Sequence, residues 1–194
     1  IRKITPDGMV TTFAGNGSPG FRDGVGINAA LNAPAGLAID RANTLYVTEW
    51  QSHRIRKIEA DGTVTSLAGD GTAGFADGLG TAARFKEPDG IAVDPAGNLY
   101  VTEHGNHAIR KITPQGRVTT VAGTGSQGFS GDGGPATSAS LRFPQGVVVN
   151  ASGNLLIADS FNHRIRKVEG VAAAVATPPP PTGLQAVAGN GQVN

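Results

Sequence analysis

The sequence predicts an all-β fold, a β-propeller in which four-stranded antiparallel blades are arranged radially. Three observations lead to this prediction. A basic and aliphatic phrase recurs, with spacings of 54, 54 and 56 residues, at Ile1, Ile55, Ile109 and Ile165. A Pro-x-Gly motif recurs with spacings of 54 and 56 residues at Gly36, Gly90 and Gly146. Each period also contains four strand-length runs rich in β-branched residues, as expected for a repeat of short strands.

One period shows how each strand is delimited. The predicted strands a to d of this period are 90–94, 98–103, 108–113 and 117–123. Turn sequences separate them, in which proline fixes φ and glycine accepts positive φ: Pro95-Ala96-Gly97, Gly105-Asn106 and Pro114-Gln115-Gly116. Each unit is therefore a four-stranded antiparallel meander.

Both faces of this meander carry aliphatic side chains, so a blade needs a neighbour on each side. On strand a, Ile91 and Val93 alternate with Ala92. Stacking blades around an axis covers both faces, with strand a innermost and strand d outermost. The chain then holds about three and a half blades, and 171–175 is the candidate d strand of the last one. Because so few blades leave two sheet faces bare, we expect further residues or a second copy of the chain to complete the ring.

The composition is that of a soluble globular protein and excludes several classes of function. Of the 194 residues, 39% are hydrophobic, and the net charge is +1. No apolar run is long enough to span a membrane, and the near-neutral charge gives no general attraction to nucleic acid. The absence of cysteine excludes disulfides and thiolate zinc sites. The chain begins in mid-repeat with Ile1, which suggests a cut through a longer polypeptide.

The repeated motifs resemble NHL repeats over residues 1–170. The matching motifs are P-x-G-[LIV]-A-[LIV]-D, N-x-L-Y-V-[AT]-[DE], N-H-R-I-R-K-[IV] and a closing AG. The resemblance implies an NHL-type β-propeller. Three positions depart from the pattern: Ser52 replaces asparagine, Ala108 replaces arginine and Asn150 replaces aspartate.

After residue 170 the composition changes. Residues 171–181 are rich in alanine and proline, which is typical of a stiff linker. Residues 182–194 resemble the beginning of a fibronectin type III domain of bacterial exoproteins. This resemblance implies a bacterial protein that is secreted or held at the cell surface.

A histidine recurs at the turn between strands b and c, a few positions after an acidic residue. The repeated turn residues are His53, His107, His163, Asn106 and Asn162. Because a side chain that recurs in every blade is most simply explained by structure, we expect these residues to tie down the backbone of the turn. Resemblance to NHL-fold amidating lyases implies an alternative, in which histidines of successive blades hold zinc. We predict no metal and no cofactor.

The basic residues of strand c are predicted to form a solvated outer stripe, which includes Arg56, Lys57, Arg110 and Lys111. RNA binding would need a concentrated positive face with stacking aromatics, and only 5% of the residues are aromatic. We therefore predict no nucleic-acid partner.

The long connections from strand d to the next strand a are predicted to be compact loops, each plugged by its own phenylalanine: Phe21, Phe75 or Phe129. The aspartates of these loops, Asp23, Asp77 and Asp132, could ligate calcium. Their spacing does not supply a full set of calcium ligands, so we predict no calcium site.

Positions that differ between copies are free to bind a partner, because the repeated positions hold the frame. The b–c turns and the d–a loops share one face of a propeller. On that face we predict partner contacts by Trp50, Gln51, His104, Phe161 and Arg84.

The sequence thus favours a non-enzymatic extracellular scaffold or binding module that contacts a protein or a glycan. An enzyme would place unlike polar residues on strand a near the axis, whereas the three copies read GLAID, GIAVD and GVVVN. Two alternatives stay open. One is a propeller enzyme of the lyase or lactonase type, with or without a metal, and the other is a self-assembling filament subunit.

Overall fold

Fifteen strands form four antiparallel sheets within residues 1–174, the part of the chain that the computed structural model describes. The first sheet contains β1 (Arg2–Ile4) and β2 (Val10–Thr12). The second contains β3 (Gly24–Val25), β4 (Pro34–Ile39), β5 (Leu45–Glu49), β6 (Arg54–Ile58) and β7 (Thr63–Ala68). The third contains β8 (Gly78–Leu79), β9 (Pro88–Val93), β10 (Leu99–Glu103), β11 (Ala108–Ile112) and β12 (Arg117–Ala122). The fourth contains β13 (Pro144–Val149), β14 (Leu155–Asp159) and β15 (Arg164–Val168).

The sheets are the predicted blades, so the all-β propeller fold is confirmed. Within the second and third sheets the strands follow chain order as antiparallel meanders, β4 to β7 and β9 to β12. The inner strands β4, β9 and β13 lie beside one another, which places the blades around one axis. The predicted linker at 175–181 and the fibronectin-like stretch at 182–194 lie outside the described residues.

Two blades have a fifth, two-residue strand that the sequence pattern did not reveal. Strand β3 pairs with β7 through Gly24 and Val64, and β8 pairs with β12 through Gly78 and Val118. The connection between blades must travel from the outer strand of one blade to the inner strand of the next. On that path it runs along the outer edge of the next blade and covers the unpaired backbone groups there.

Neighbouring blades meet at the axis through backbone contacts that require glycine and threonine. A methyl group on Gly90 would overlap the carbonyl oxygen of Gln145 on the next inner strand, and Gly36 has the same relation to Asp89. The hydroxyl of Thr48 donates to the Asp89 carbonyl at 2.5 Å and accepts from the Gly36 N–H at 2.7 Å. We call this contact a threonine bridge.

The second threonine bridge joins the third and fourth sheets. Thr102 donates to the Gln145 carbonyl at 2.9 Å and accepts from the Gly90 N–H at 2.7 Å. The repeated Pro-x-Gly motif is therefore explained by the close approach of inner strands.

The hydrophobic core lies between blades rather than within one. Between the second and third sheets, Tyr46 and Ile55 from one blade join Leu99, Val101 and Ile112 from the next. Two similar clusters fill the gaps between the first and second sheets and between the third and fourth. This packing uses both faces of a blade, as the aliphatic pattern of the strands predicts.

The prediction that the basic residues of strand c form a solvated stripe is wrong for Arg56, Arg110 and Arg166, whereas Arg2 in the first sheet is exposed. The side chains of Arg56 and Arg110 are 0% exposed, and that of Arg166 is 10% exposed. Successive side chains on a strand point to opposite faces, so the arginines point inward while the lysines beside them reach solvent. Buried cations of this kind need partners.

Each buried arginine binds two carboxylates, one from strand b and one from the long loop. Arg110 binds Glu103 through Nη1 and Asp77 through Nη2, the latter at 2.7 Å. In the other copies Arg56 binds Glu49 and Asp23, and Arg166 binds Asp159 and Asp132. The loop aspartates considered as calcium ligands are therefore arginine partners.

The long loops are plugged by other residues than predicted. The predicted phenylalanines are 43–49% exposed and lie over arginine side chains: Phe21, Phe75 and Phe129. The buried plugs are instead the apolar residues three positions before the proline of the next strand: Leu31, Phe85 and Leu141. The three phenylalanine rings also lie close to the guanidinium groups of Arg56, Arg110 and Arg166, where a cation–π contact is favourable.

Residues 171–174 do not form a fourth strand on the last blade, which corrects the prediction for that segment. The Ala172 N–H donates to the Gly153 carbonyl at 3.0 Å, and the Ala173 N–H donates to Asp94 Oδ2 at 2.9 Å. The segment therefore packs against the turns and the preceding blade. An alanine run lacks the β-branched side chains that favour an edge strand.

Both terminal sheets expose large apolar side chains, for example Ile4 at 70% and Ile165 at 71%.

The helices in residues 1–174 are four 3₁₀ turns of three residues each, and none has the length or hydropathy to cross a bilayer.

Candidate functional site

Four aromatic rings form a continuous arc across three blades, on the face that carries the b–c turns. The centroids of adjacent rings are 4.8 Å apart for Trp50 and His104, 4.6 Å for His104 and Phe143, and 4.8 Å for Phe143 and Phe161. We call Trp50, His104, Phe143 and Phe161 the aromatic arc. These distances are typical of favourable contacts between rings.

The repeated turn explains why rings from different blades meet. In each blade, the backbone N–H of a residue after strand b donates to a carbonyl just before the inner strand of the same blade. The pairs are Trp50 with Ala33 at 3.0 Å, His104 with Glu87 at 3.0 Å, and Phe161 with Arg142 at 3.2 Å. Equivalent turns thus present their side chains at equivalent places around the axis.

The arc is partly open to solvent. Phe161 is 50% exposed, Trp50 and Phe143 are half-buried, and the His104 side chain is 18% exposed. An apolar surface of this kind on a loop face is suited to contact with another molecule.

Two carboxylates lie beside the arc on the axis side. Glu87 Oε2 is 3.4 Å from His104 Nδ1. Asp89 is half-buried, and no side chain of residues 1–174 lies within hydrogen-bonding distance of its carboxylate. Burial raises the pKa of Asp89, and the nearby His104 opposes that rise.

The structure brings together three of the five predicted contact residues. Trp50, His104 and Phe161 lie in the arc, and Gln51 is exposed next to Trp50 in the chain. Arg84 lies apart from it, because its guanidinium binds Asp70 at 2.9 Å on the outer loop.

Sequence reasoning missed Phe143, Glu87 and Asp89. The signal was available, since the residues on either side of the repeated proline differ between copies: Ala33 and Ala35, Glu87 and Asp89, and Phe143 and Gln145. The proline and glycine of the motif are the same in every copy, and the positions beside the proline are the ones that vary.

The repeated asparagines and histidines of the turn have different roles. Asn162 Nδ2 donates to Asp159 Oδ2 at 2.8 Å and to the Gly128 carbonyl at 2.8 Å, and Asn106 makes the equivalent contacts. The histidines have left-handed φ values of 53°, 52° and 54° at His53, His107 and His163. A residue with positive φ is what lets the chain reverse into strand c.

Two of the histidines reach the next blade instead of their own acidic residue. His53 Nδ1 accepts a hydrogen bond from the Glu87 N–H at 3.2 Å, and His107 Nδ1 accepts one from the Phe143 N–H at 3.2 Å. Within residues 1–174 no group of three or more histidines and carboxylates is placed to hold a metal ion.

These imidazoles must be unprotonated at Nδ1 to accept, so stability is expected to depend on pH. Burial lowers the pKa of both His53 and His107, whereas an unfolded histidine titrates near about 6.5. Their contribution is therefore full above about pH 6.5 and is lost as the pH falls towards their lower folded-state pKa. The free energy of unfolding, measured in urea, should be smaller at about pH 5.5 than at about pH 7.5.

The double variant His53→Asn/His107→Asn should reduce this difference between the two pH values. His163 makes no such contact in the described part of the chain, so His163→Asn serves as the control and should keep the difference. An unchanged pH dependence in the double variant would contradict the assignment.

Comparisons with known proteins agree with this architecture. The family model described as SMP-30/Gluconolactonase/LRE-like region matches residues 27–130, and the NHL repeat model matches residues 141–168. The chain is 37% identical over 94 residues to the protein SUPPRESSOR OF QUENCHING 1, chloroplastic, of Arabidopsis thaliana. The aligned region covers 48% of this chain and 9% of that protein.

Two solved structures from Bacteroides thetaiotaomicron have the same fold. One, an auxiliary nutrient binding protein, is 28% identical with a TM-score of 0.59 and covers 68% of this chain and 36% of its own. The other, a structural genomics protein, is 24% identical with a TM-score of 0.67 and covers 84% and 40%. The chain thus spans well under half of these relatives. The blades, their repeat and the matched models show that the chain belongs to the SMP-30/gluconolactonase/LRE-like family and is an NHL-type β-propeller.

Proposed function

We propose that this propeller is a non-enzymatic binding module whose aromatic arc holds a protein or glycan partner. The observation that carries the proposal is the arc itself, a continuous aromatic surface built from three blades at positions where the copies differ. The repeated polar residues, such as the threonines of the bridges and the buried arginines, are already engaged in contacts that hold the fold. Large, partly exposed aromatic side chains are the residue types that dominate binding energy at interfaces.

The polar ends of the inner strands support a scaffold role for this part of the axis. Asp94 accepts hydrogen bonds from the Asn98 and Ala173 N–H groups and from the Tyr100 hydroxyl. Burial alone would raise the pKa of Asp94, but these hydrogen bonds to the ionised form hold it below its usual range. A carboxylate bound in this way fixes a turn and is poorly suited to transferring protons.

The binding role is supported by the likeness to the auxiliary nutrient binding protein, which is 28% identical. We place the protein outside the cell or at its surface. The support for this location is the resemblance of residues 182–194 to the start of a fibronectin type III domain of bacterial exoproteins.

A second candidate is a lactonase or lyase, which Asp89 favours. Burial raises the pKa of its carboxylate, His104 lies near enough to oppose that rise, and the neighbouring copies have Ala35 and Gln145 at this position. A half-buried acid beside a histidine is a pair that can exchange protons. The matched family also includes gluconolactonase in its description.

Two assays on the whole chain distinguish these candidates. The first measures hydrolysis of D-glucono-δ-lactone with Mg²⁺, Ca²⁺ or Zn²⁺ added, and we expect the uncatalysed rate. The second measures binding to arrays of glycans and of secreted proteins, and we expect at least one ligand. Phe161→Ala should weaken the binding of that ligand about tenfold or more, because it truncates the most exposed ring of the arc.

Phe129→Ala is the matched control, since it removes a ring of similar exposure, 45%, that lies outside the arc. It should bind as the unchanged chain does. Metal-stimulated hydrolysis that disappears in Asp89→Asn would overturn the binding proposal in favour of the enzyme.

A further inference from the structure

We infer that the partner of the aromatic arc is a neutral glycan. Its pyranose rings would lie against Trp50 and Phe161, and its hydroxyl groups would bind the carboxylates of Glu87 and Asp89. This inference rests on the proposed binding function and names the chemistry of the ligand.

The shape of the arc favours a ligand with a broad, weakly polar face. Planes of adjacent rings are tilted by 50°, 37° and 60° along the arc, so no two rings face each other across a slot. A cation is best held when rings surround it and present their faces to it. An open row of tilted rings instead offers successive apolar surfaces, as the C–H faces of linked sugar rings require.

The charges around the arc balance. The anionic groups are Glu87 and Asp89, and the cationic groups are Lys86 and Arg142, whose guanidinium lies 6.0 Å from the Phe161 ring. Neither cation has an ion-pair partner within residues 1–174, and both are exposed. A basic peptide would meet two cations here and an acidic peptide two carboxylates. Sugar hydroxyls both donate and accept hydrogen bonds, so they can use both kinds of group.

Asp89 gives an independent reason for a ligand with hydroxyl donors. Its carboxylate is half-buried and lacks a donor among the described side chains. Neither oxygen of this carboxylate is among the buried atoms without a partner, so both are open to water. A ligand hydroxyl can replace such a water by donating a hydrogen bond of its own, whereas an apolar ligand surface would leave the carboxylate without a donor. Such a group therefore favours binding of hydroxyl-rich molecules over purely apolar ones.

The single tryptophan of the chain, Trp50, makes the test direct. Its fluorescence is titrated with neutral hexasaccharides of glucose, mannose, galactose and N-acetylglucosamine. We expect a saturable change with at least one of them, and a Kd that varies less than about twofold between low and high salt, since no net charge is neutralised. Phe161→Ala and His104→Ala should each weaken binding about tenfold, whereas Phe161→Tyr and Phe129→Ala should not.

Two variants of Asp89 separate a neutral ligand from a cationic one. Asp89→Asn keeps a hydrogen-bonding side chain and should weaken the hexasaccharide by less than about threefold, whereas Asp89→Ala should weaken it about tenfold. Tri-arginine serves as the cationic probe. Binding of tri-arginine that is salt-sensitive and lost in Asp89→Asn, with no response to any hexasaccharide, would overturn the inference.

Failure of the inference is distinguishable from failure of the proposed function. If a secreted protein on the array binds through Phe161 while no saccharide does, the glycan assignment falls and the binding function stands. If no glycan and no protein binds, both fall. Circular dichroism and the urea midpoint of each variant show whether it is folded.

Discussion

The Arg110→Met variant is expected to lose about 3–5 kcal/mol of its free energy of unfolding. Arg110 is fully buried and binds the carboxylates of Glu103 and Asp77. Glu103 is also fully buried, so removing the guanidinium leaves its charge without a counter-ion in the protein interior. Burial already raises the pKa of Glu103, and Arg110 is the main group that opposes that rise.

Urea unfolding monitored by Trp50 fluorescence measures this loss, with the slope checked for a change in the denatured state. Arg117→Met is the matched control, because Arg117 is exposed and has no ion pair in the described part of the chain. It should change the free energy of unfolding by less than about 0.5 kcal/mol. Adding Glu103→Gln to Arg110→Met should recover part of the loss, and no recovery would contradict the orphaned charge as its cause.

The Gly90→Ala variant is expected to lose about 3 kcal/mol or more, because the added methyl group overlaps the Gln145 carbonyl of the adjacent inner strand. Relief would require β9 and β13 to separate. That separation would also lengthen the threonine bridge from Thr102 to Gln145. The same urea titration measures the effect.

Gly146→Ala is the matched control for the close approach of inner strands, because Gly146 occupies the same position of the Pro-x-Gly motif. The nearest atom to a methyl group on Gly146 is the Ala158 side chain at 3.5 Å, an ordinary contact. The change in the free energy of unfolding should therefore be within about 1 kcal/mol. Equal losses in both variants would mean that backbone preference, and not the approach of neighbouring blades, requires glycine.

The fold was predictable because the repeat and the aliphatic pattern on both faces leave few arrangements. Each blade must be covered on two sides, and the core residues Tyr46 and Leu99 lie in the gap between blades as that reasoning requires. The burial of Arg56 and Arg110 was not predictable from the strand alone. Their partners, Asp23 and Asp77, lie 33 residues away in loops whose path no local pattern reveals.

The candidate site was only partly accessible from the sequence. Trp50, His104 and Phe161 could be selected because equivalent positions differ between copies, and they do lie in one arc. Phe143 completes the arc from a position before the proline. Its left-handed φ of 48° could not be predicted from the residue type, because bulky residues rarely adopt positive φ. Arg84 was selected for its place beside Phe85 in the long loop, but its pairing with Asp70 depends on how the loop folds.

The two threonine bridges make the joints between the second, third and fourth sheets alike. Thr48 and Thr102 present the same hydroxyl to the same carbonyl position, and Gly36 and Gly90 admit the same close approach. A second copy of the unit that carries Thr102 would find a matching joint on either side, whereas the fourth sheet has Ala158 at this position and lacks the bridging hydroxyl. The circumference of such a ring is therefore open to change by recombination in steps of one unit, provided that the inserted unit carries the threonine.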